Sequence, residues 1–155
     1  MSETVSADFL PHSAALSSAK RGALLPIAAG GLSAGTLDLL QACVLFGWKI
    51  PLVIAAGLLG RDAVHGGAGT YVLGVILHFI IACTAASIYY AFSRKLTFMK
   101  EHWIVCGLFF GGAVENVMNL VVLPLSALRA RGPYELHDLI LGLVVHMVVI
   151  GLPIA

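Results

Sequence analysis

Long apolar runs alternate with short polar segments along this chain. Four runs reach the roughly 20 residues needed to cross about 30 Å of hydrocarbon, at residues 24–47, 69–92, 103–124 and 137–155. Each is predicted to be an α-helix, because lipid offers no partner for free backbone N–H and C=O groups. The pattern therefore predicts an all-α polytopic membrane protein with four transmembrane helices.

The connecting segments determine how these helices follow one another. Residues 93–103 and 129–135 are short and charged, so the helices that they join are predicted to be antiparallel neighbours. The longer first connection contains an apolar stretch, residues 51–60, which is too short to span and indicates an interfacial or re-entrant element. Residues 1–23 are polar and rich in Ser and Ala, and we expect a disordered tail before a four-helix domain of residues 24–155.

The two halves of the domain resemble each other. Repeat 1 covers about residues 24–92 and repeat 2 about residues 103–155. Aligning the first helix with the third, and the second with the fourth, superimposes several glycines and all the deep ionisable residues. Since the first and third helices cross in the same direction, the sequence predicts two parallel hairpin repeats.

The deep ionisable residues occur once per helix, in the order acid, histidine, acid, histidine. They are Asp38, His78, Glu115 and His146. All four lie about 13–14 Å below the same face of the membrane, given a rise of 1.5 Å per residue. Each acid also follows, by four residues, a small residue of a small-xxx-small sequence, Ala34 or Gly111. Such sequences pack helices closely, so both acids are predicted to face the bundle interior.

A charged group at mid-membrane costs at least a few kcal/mol, so this polar layer requires an explanation. One explanation is structural. Each acid would pair with the histidine of its own hairpin, while Asn116 and Asn119 would bond across helices and stabilise the bundle.

A second explanation is a cofactor or metal site. His78 and His146 could be the axial ligands of a b-type haem. With Asp38 and Glu115 they would instead supply two nitrogens and two carboxylates to a divalent metal ion. A third explanation is a proton relay, because carboxylates and imidazoles at this depth are usual elements of proton-coupled transporters.

Composition supports the membrane assignment and excludes other classes. Hydrophobic residues make up 59% of the chain and charged residues 11%, with a mean hydropathy of +0.97. A soluble domain averages about 25% charged residues, so lipid must solvate this protein. The net charge of +1 provides no basic field for nucleic acid. No nucleophile–base pair is recognisable, and we therefore predict that the protein is not an enzyme.

The orientation in the membrane is only weakly encoded. Five basic residues lie on the N-terminal side of the predicted bundle and four on the other. Cytoplasmic loops carry the excess of Lys and Arg, so both termini are predicted to be cytoplasmic.

Several short motifs resemble a family of small, uncharacterised four-helix proteins of the bacterial inner membrane. They are "GLLGRDAVHGG" (57–67), "LHFIIA" (77–82), "YY…SRKL" (89–96) and "MNLVVLPLSA" (118–127). The resemblance implies four spans and a bacterial inner membrane, and it implies no activity. We therefore expect an accessory or scaffolding subunit of a homo-oligomer or larger membrane complex. The alternative is a proton- or metal-coupled transporter, or a bis-His haem b protein, that uses the acid/His layer.

Overall fold

The computed structural model describes residues 12–130 and 135–155, and every regular element in those ranges is helical. Four helical segments are long and apolar enough to cross a membrane. They are Gly22–Phe46, Ala68–Lys95, Trp103–Leu125 and Leu136–Ile154. The predicted all-α polytopic fold with four spans is confirmed.

The described residues form six helices. They are α1 (His12–Phe46), α2 (Ile50–Leu59), α3 (Ala68–Lys95), α4 (Phe98–Glu101), α5 (Trp103–Leu125) and α6 (Leu136–Ile154). Between α2 and α3 lies a single 3-10 turn at Arg61–His65. The structure gives helix from His12 onward, where we had predicted a disordered tail. No Gly or Pro occurs between residues 12 and 21, so this Ser/Ala-rich stretch can continue the helix. Residues 1–11 lie outside the described part of the chain.

Helices pair as the predicted hairpins require. α1 packs along α3, α5 packs along the second half of α6, and the end of α6 also contacts α1. The short α2 packs on α3, where a methyl group added at Gly74 would overlap the carbonyl of Pro51. With only ten residues, α2 is too short to span a bilayer, as predicted.

Small residues bring α5 and α6 into backbone contact. A methyl group at Gly107 would lie 2.8 Å from the carbonyl oxygen of Gly151, and one at Gly111 would overlap the carbonyl of His146. In α1, Ala34 is fully buried. The small-xxx-small positions therefore form helix contacts, as predicted from the sequence.

The second hairpin contains two π-helical segments, Met118–Val122 in α5 and His146–Gly151 in α6. Pro124 and Pro153 follow directly within the next helical turn. A proline ring clashes with the carbonyl four residues earlier and leaves it without a backbone donor, and a wider turn relieves both problems. Proline alone does not dictate this outcome, because α1 continues as regular helix through Pro26.

Candidate functional site

The acid and histidine of the second hairpin are in direct contact. His146 Nδ1 lies 3.1 Å from Glu115 Oε2 and 3.0 Å from the carbonyl oxygen of Gly142. The Gly142 carbonyl is an acceptor, so Nδ1 carries a hydrogen and donates it to that oxygen. The Glu115 and His146 side chains are only 13% and 21% exposed. The acid and the imidazole are therefore in close contact within the bundle, and the Nδ1–H hydrogen bond goes to the Gly142 carbonyl.

Two asparagines extend the polar layer along α5. Asn119 Nδ2 donates to Glu115 Oε1 at 2.8 Å, and Asn116 Nδ2 donates to the Gly112 carbonyl at 2.8 Å. The prediction that both bond across helices is therefore wrong. Each partner lies four residues earlier on the same helix, and that spacing places the groups one above the other. Glu115 thus has both carboxylate oxygens engaged.

The pair in the first hairpin is looser. His78 Nε2 donates to the carbonyl oxygen of Gly35 at 2.8 Å and lies 3.9 Å from Asp38 Oδ2, beyond hydrogen-bond distance. The two side chains are 12% and 15% exposed. Within the described residues, no side chain or backbone group forms a hydrogen bond with the Asp38 carboxyl group. Asp38 therefore faces the interior, as predicted, and remains available to another partner.

A cavity of about 190 Å³ separates α1 from α6, and we call it the Asp138 cavity. It reaches along α1 from Asp38 to Phe46 and along α6 from His146 to Asp138, with Glu115 of α5 also in its wall. Both stretches span about 12 Å at 1.5 Å per residue. The Asp138 side chain is 65% exposed, and Phe46 ends α1. The cavity therefore extends from the acid layer to the face of the bundle where α1 ends.

A second cavity of about 90 Å³, here called the inner cavity, lies deeper between the hairpins. Asp38, His78 and His146 line it together with apolar side chains. Asp38 and His146 belong to different hairpins, and both of them line both cavities. These two residues are therefore shared by a compartment that reaches the membrane face and one that lies deeper between the helices.

The geometry does not fit the metal and haem hypotheses. In the described residues, no three His, Cys, Asp or Glu side chains are grouped so as to hold a metal ion. The inner cavity has room for about three waters at 30 Å³ each, far less than a porphyrin needs. His78 Nε2 also carries a hydrogen towards Gly35, so this nitrogen is engaged with the backbone. The four predicted ligands form two acid–histidine pairs instead.

Some participants were not identified from the sequence. The carbonyls of Gly35 and Gly142 orient the two imidazoles, and Asp138 marks the mouth of the cavity. Gly142 precedes His146 by four residues, so the contact between them could have been predicted from the spacing of residues in a helix. The Gly35 contact joins two helices and had no such local signal.

No family model, curated protein or solved structure matches the chain. The resemblance to small bacterial inner-membrane proteins and the internal duplication therefore stay predictions. The candidate site is defined by its own geometry alone.

Proposed function

We propose that this protein is a proton-coupled membrane carrier in which Asp38 binds and releases the proton. The observation that carries the proposal is the position of Asp38. Its carboxyl group lies in the membrane-spanning bundle without a hydrogen-bond partner among the described residues, in the wall of a cavity that reaches the membrane face. Ionisable residues at this depth usually serve ion or proton pathways, because burying them otherwise costs free energy.

The Asp138 cavity provides the route for the proton. A volume of about 190 Å³ accommodates about six waters at 30 Å³ each. Asp38, Glu115, His146 and Gln41 supply polar groups that such waters need as partners. A hydrated path of this kind connects Asp38 with the exposed carboxylate of Asp138.

His146 is the neighbouring proton acceptor. Its Nδ1–H is held by the Gly142 carbonyl, which leaves Nε2 free to accept a proton beside the two cavities. The Glu115 carboxylate stabilises the imidazolium that would form. Proton transfer between Asp38 and His146, directly or through water, would pass a proton from one cavity to the other.

A structural role, as an accessory or scaffolding subunit, is the competing proposal. The Glu115 network favours it, because that carboxylate is fully engaged by Asn119 and His146 within its own hairpin. A purely structural layer would stabilise the bundle without reversible protonation. The two roles therefore differ in whether Asp38 titrates.

Infrared spectroscopy of the reconstituted protein tests this difference. We expect a reversible, pH-dependent band from a protonated carboxyl group that disappears in Asp38→Asn. The matched control is Asp62→Asn, because Asp62 is an exposed acid in the Arg61–His65 turn. If Asp38→Asn leaves the spectrum unchanged at every pH, Asp38 does not exchange protons and the structural role is preferred.

Access from the membrane face is tested separately with single cysteines in a background that lacks the three natural ones. Ala42 lines the Asp138 cavity, whereas Val44 is 76% exposed on the outer surface of the same helix. A charged, water-soluble thiol reagent should modify Ala42→Cys and spare Val44→Cys, because lipid covers the latter. Equal labelling of Ala42→Cys and Val44→Cys would show that the Asp138 cavity gives no selective access to water, and the proposed aqueous route would be wrong.

We further propose a bacterial inner membrane with both termini in the cytoplasm, on the basis of the motif resemblance and the basic residues. The Asp138 cavity would then open to the outside, the side from which the membrane potential drives protons inward. An oligomer or larger complex is supported by α6, since no residue of Leu136–Val145 is buried within the chain. Reporter fusions to the two termini would test the orientation.

A further inference from the structure

An apolar groove opens between α3 and α5 on the outer surface of the bundle. Its volume is about 330 Å³, and we define this lateral groove by Ile81, Ala85 and Ile88 of α3 and Val114, Met118 and Val122 of α5. The edge-on contact between the Tyr89 and Phe110 rings, 5.1 Å between centroids, joins the two helices beside it. A further cavity of about 430 Å³ continues along α2 and shares Ile81, Met118 and Val122 with the groove. Together they make a long hydrocarbon-lined recess at membrane depth.

The lateral groove adjoins the inner cavity, which borders the acid layer. Ile81, Ala85, Val114 and Met118 line both the groove and the inner cavity. On its other side the inner cavity is lined by Asp38 and the two histidines. A molecule whose apolar part lies in the groove can therefore place a small polar head beside the Asp38 carboxyl group.

The charged residues that line the two cavities determine which kind of polar head group can bind there. The described residues lining the Asp138 cavity and the inner cavity include three carboxyl groups and two imidazoles, but no Lys or Arg. An anionic head would meet only like charge from ionised carboxyl groups. A small inorganic cation would leave the lateral groove unused, because the lining of that groove is almost entirely apolar. An organic cation with an apolar body matches both the carboxylate and the groove.

We propose that Asp38 binds either a proton or a monovalent organic cation with an apolar body, such as an alkylammonium, which enters from the bilayer through the lateral groove. This inference rests on the proposed function and identifies the class of its cargo. When the cation binds, the O–H bond of the Asp38 carboxyl group breaks and the carboxylate pairs with the cation. The proton leaves by His146 or water through the Asp138 cavity, so one positive charge replaces another.

Octyltrimethylammonium is a suitable probe, because its quaternary head has no proton of its own to release. Binding is measured by equilibrium dialysis against the full chain in lipid nanodiscs, and proton release by a pH-indicating dye. At a pH at which Asp38 is protonated, we expect saturable binding with about one proton released per cation. While Asp38 is protonated, apparent affinity should rise about tenfold per pH unit, since proton and cation compete for one carboxylate.

Two kinds of variant make the test specific. Asp38→Asn should abolish both saturable binding and proton release, whereas Asp62→Asn should retain both. Val122→Trp fills the mouth of the groove at a side chain that is already 36% exposed, and should weaken binding about tenfold or more. The same variant should keep the infrared signal of Asp38 protonation, which also shows that it is folded.

Each remaining outcome is decisive. If Asp38 of the wild-type protein is protonated reversibly but no saturable cation binding is found, the proposed cargo is wrong. The proposed proton-coupled function is then unaffected. Binding that persists in Asp38→Asn, or octanoate that binds as well as the cation, also overturns the proposed cargo. If the wild-type protein shows no infrared band from a protonated Asp38 carboxyl group at any pH, both proposals are wrong.

Discussion

The two acid–histidine pairs should differ sharply in how strongly their members are coupled. Glu115 Oε2 and His146 Nδ1 are in close contact at 3.1 Å, whereas Asp38 Oδ2 and His78 Nε2 are 3.9 Å apart. Substituting each member by Ala, alone and together, gives one double-mutant cycle per pair. The coupling free energy from each cycle isolates the interaction, since other losses cancel.

The structure sets the expected magnitudes. Hydrogen bonds between membrane helices contribute about 0.6 kcal/mol on average and up to about 1.7 kcal/mol. A fully ionised pair at 3.1 Å would attract by about 5 kcal/mol at an effective dielectric constant of about 20, before desolvation is subtracted. With a neutral imidazole, we expect about 1–2 kcal/mol for Glu115–His146. For Asp38–His78 we expect about zero.

The measurement is reversible unfolding of the purified protein in mixed micelles, followed by far-ultraviolet circular dichroism. Each cycle should be run at two pH values on either side of neutrality, because protonation of His146 would raise its coupling to Glu115. Equal coupling in the two pairs, or a larger value for Asp38–His78, would contradict the difference in geometry. The assignment of Asp38 as the available carboxylate would then fail as well.

Two glycine substitutions test the packing around the same layer. Gly111→Val should destabilise the bundle by about 2–3 kcal/mol or prevent folding, because the valine side chain would overlap the His146 carbonyl. Its control is Gly69→Ala, which should change the unfolding midpoint little because no atom lies within 4 Å of the added methyl group. The methyl group of Gly142→Ala would overlap the Glu115 carboxylate. The coupling free energy between Glu115 and His146 should therefore fall below about 0.5 kcal/mol in the double-mutant cycle. An unchanged coupling free energy would contradict this contact.

The spans were predictable because lipid simplifies the physics. A bilayer requires apolar runs of defined length, and four such runs locate the helices to within a few residues, except at the start of α1. The fixed rise per residue of an α-helix then predicts that Asp38, His78, Glu115 and His146 lie at the same depth. The structure places Glu115 and His146 in contact within their hairpin, whereas Asp38 and His78 are neighbours that lie 3.9 Å apart.

Side-chain partners and cavities were less predictable because they depend on helix rotation. Asn116 and Asn119 were expected to bond across helices, but acceptors one turn earlier on α5 are nearer. The π-helical segments had a local signal in Pro124 and Pro153, yet Pro26 shows that the same residue also fits a regular helix. The cavities lie between helices that are distant in sequence, and no periodicity in one helix reports on such gaps.

The asymmetry between the two pairs assigns them different tasks. In the second hairpin, π-helical turns and a glycine contact fix His146 against Glu115, whose oxygens are both engaged. In the first hairpin, His78 is held by a backbone carbonyl, so Asp38 is left facing two cavities. A carboxylate that exchanges ligands must be free of strong internal partners, and its proton acceptor must be held in place. Under the proposed function, the first acid is the one that binds and releases the proton, and the second supports the neighbouring imidazole.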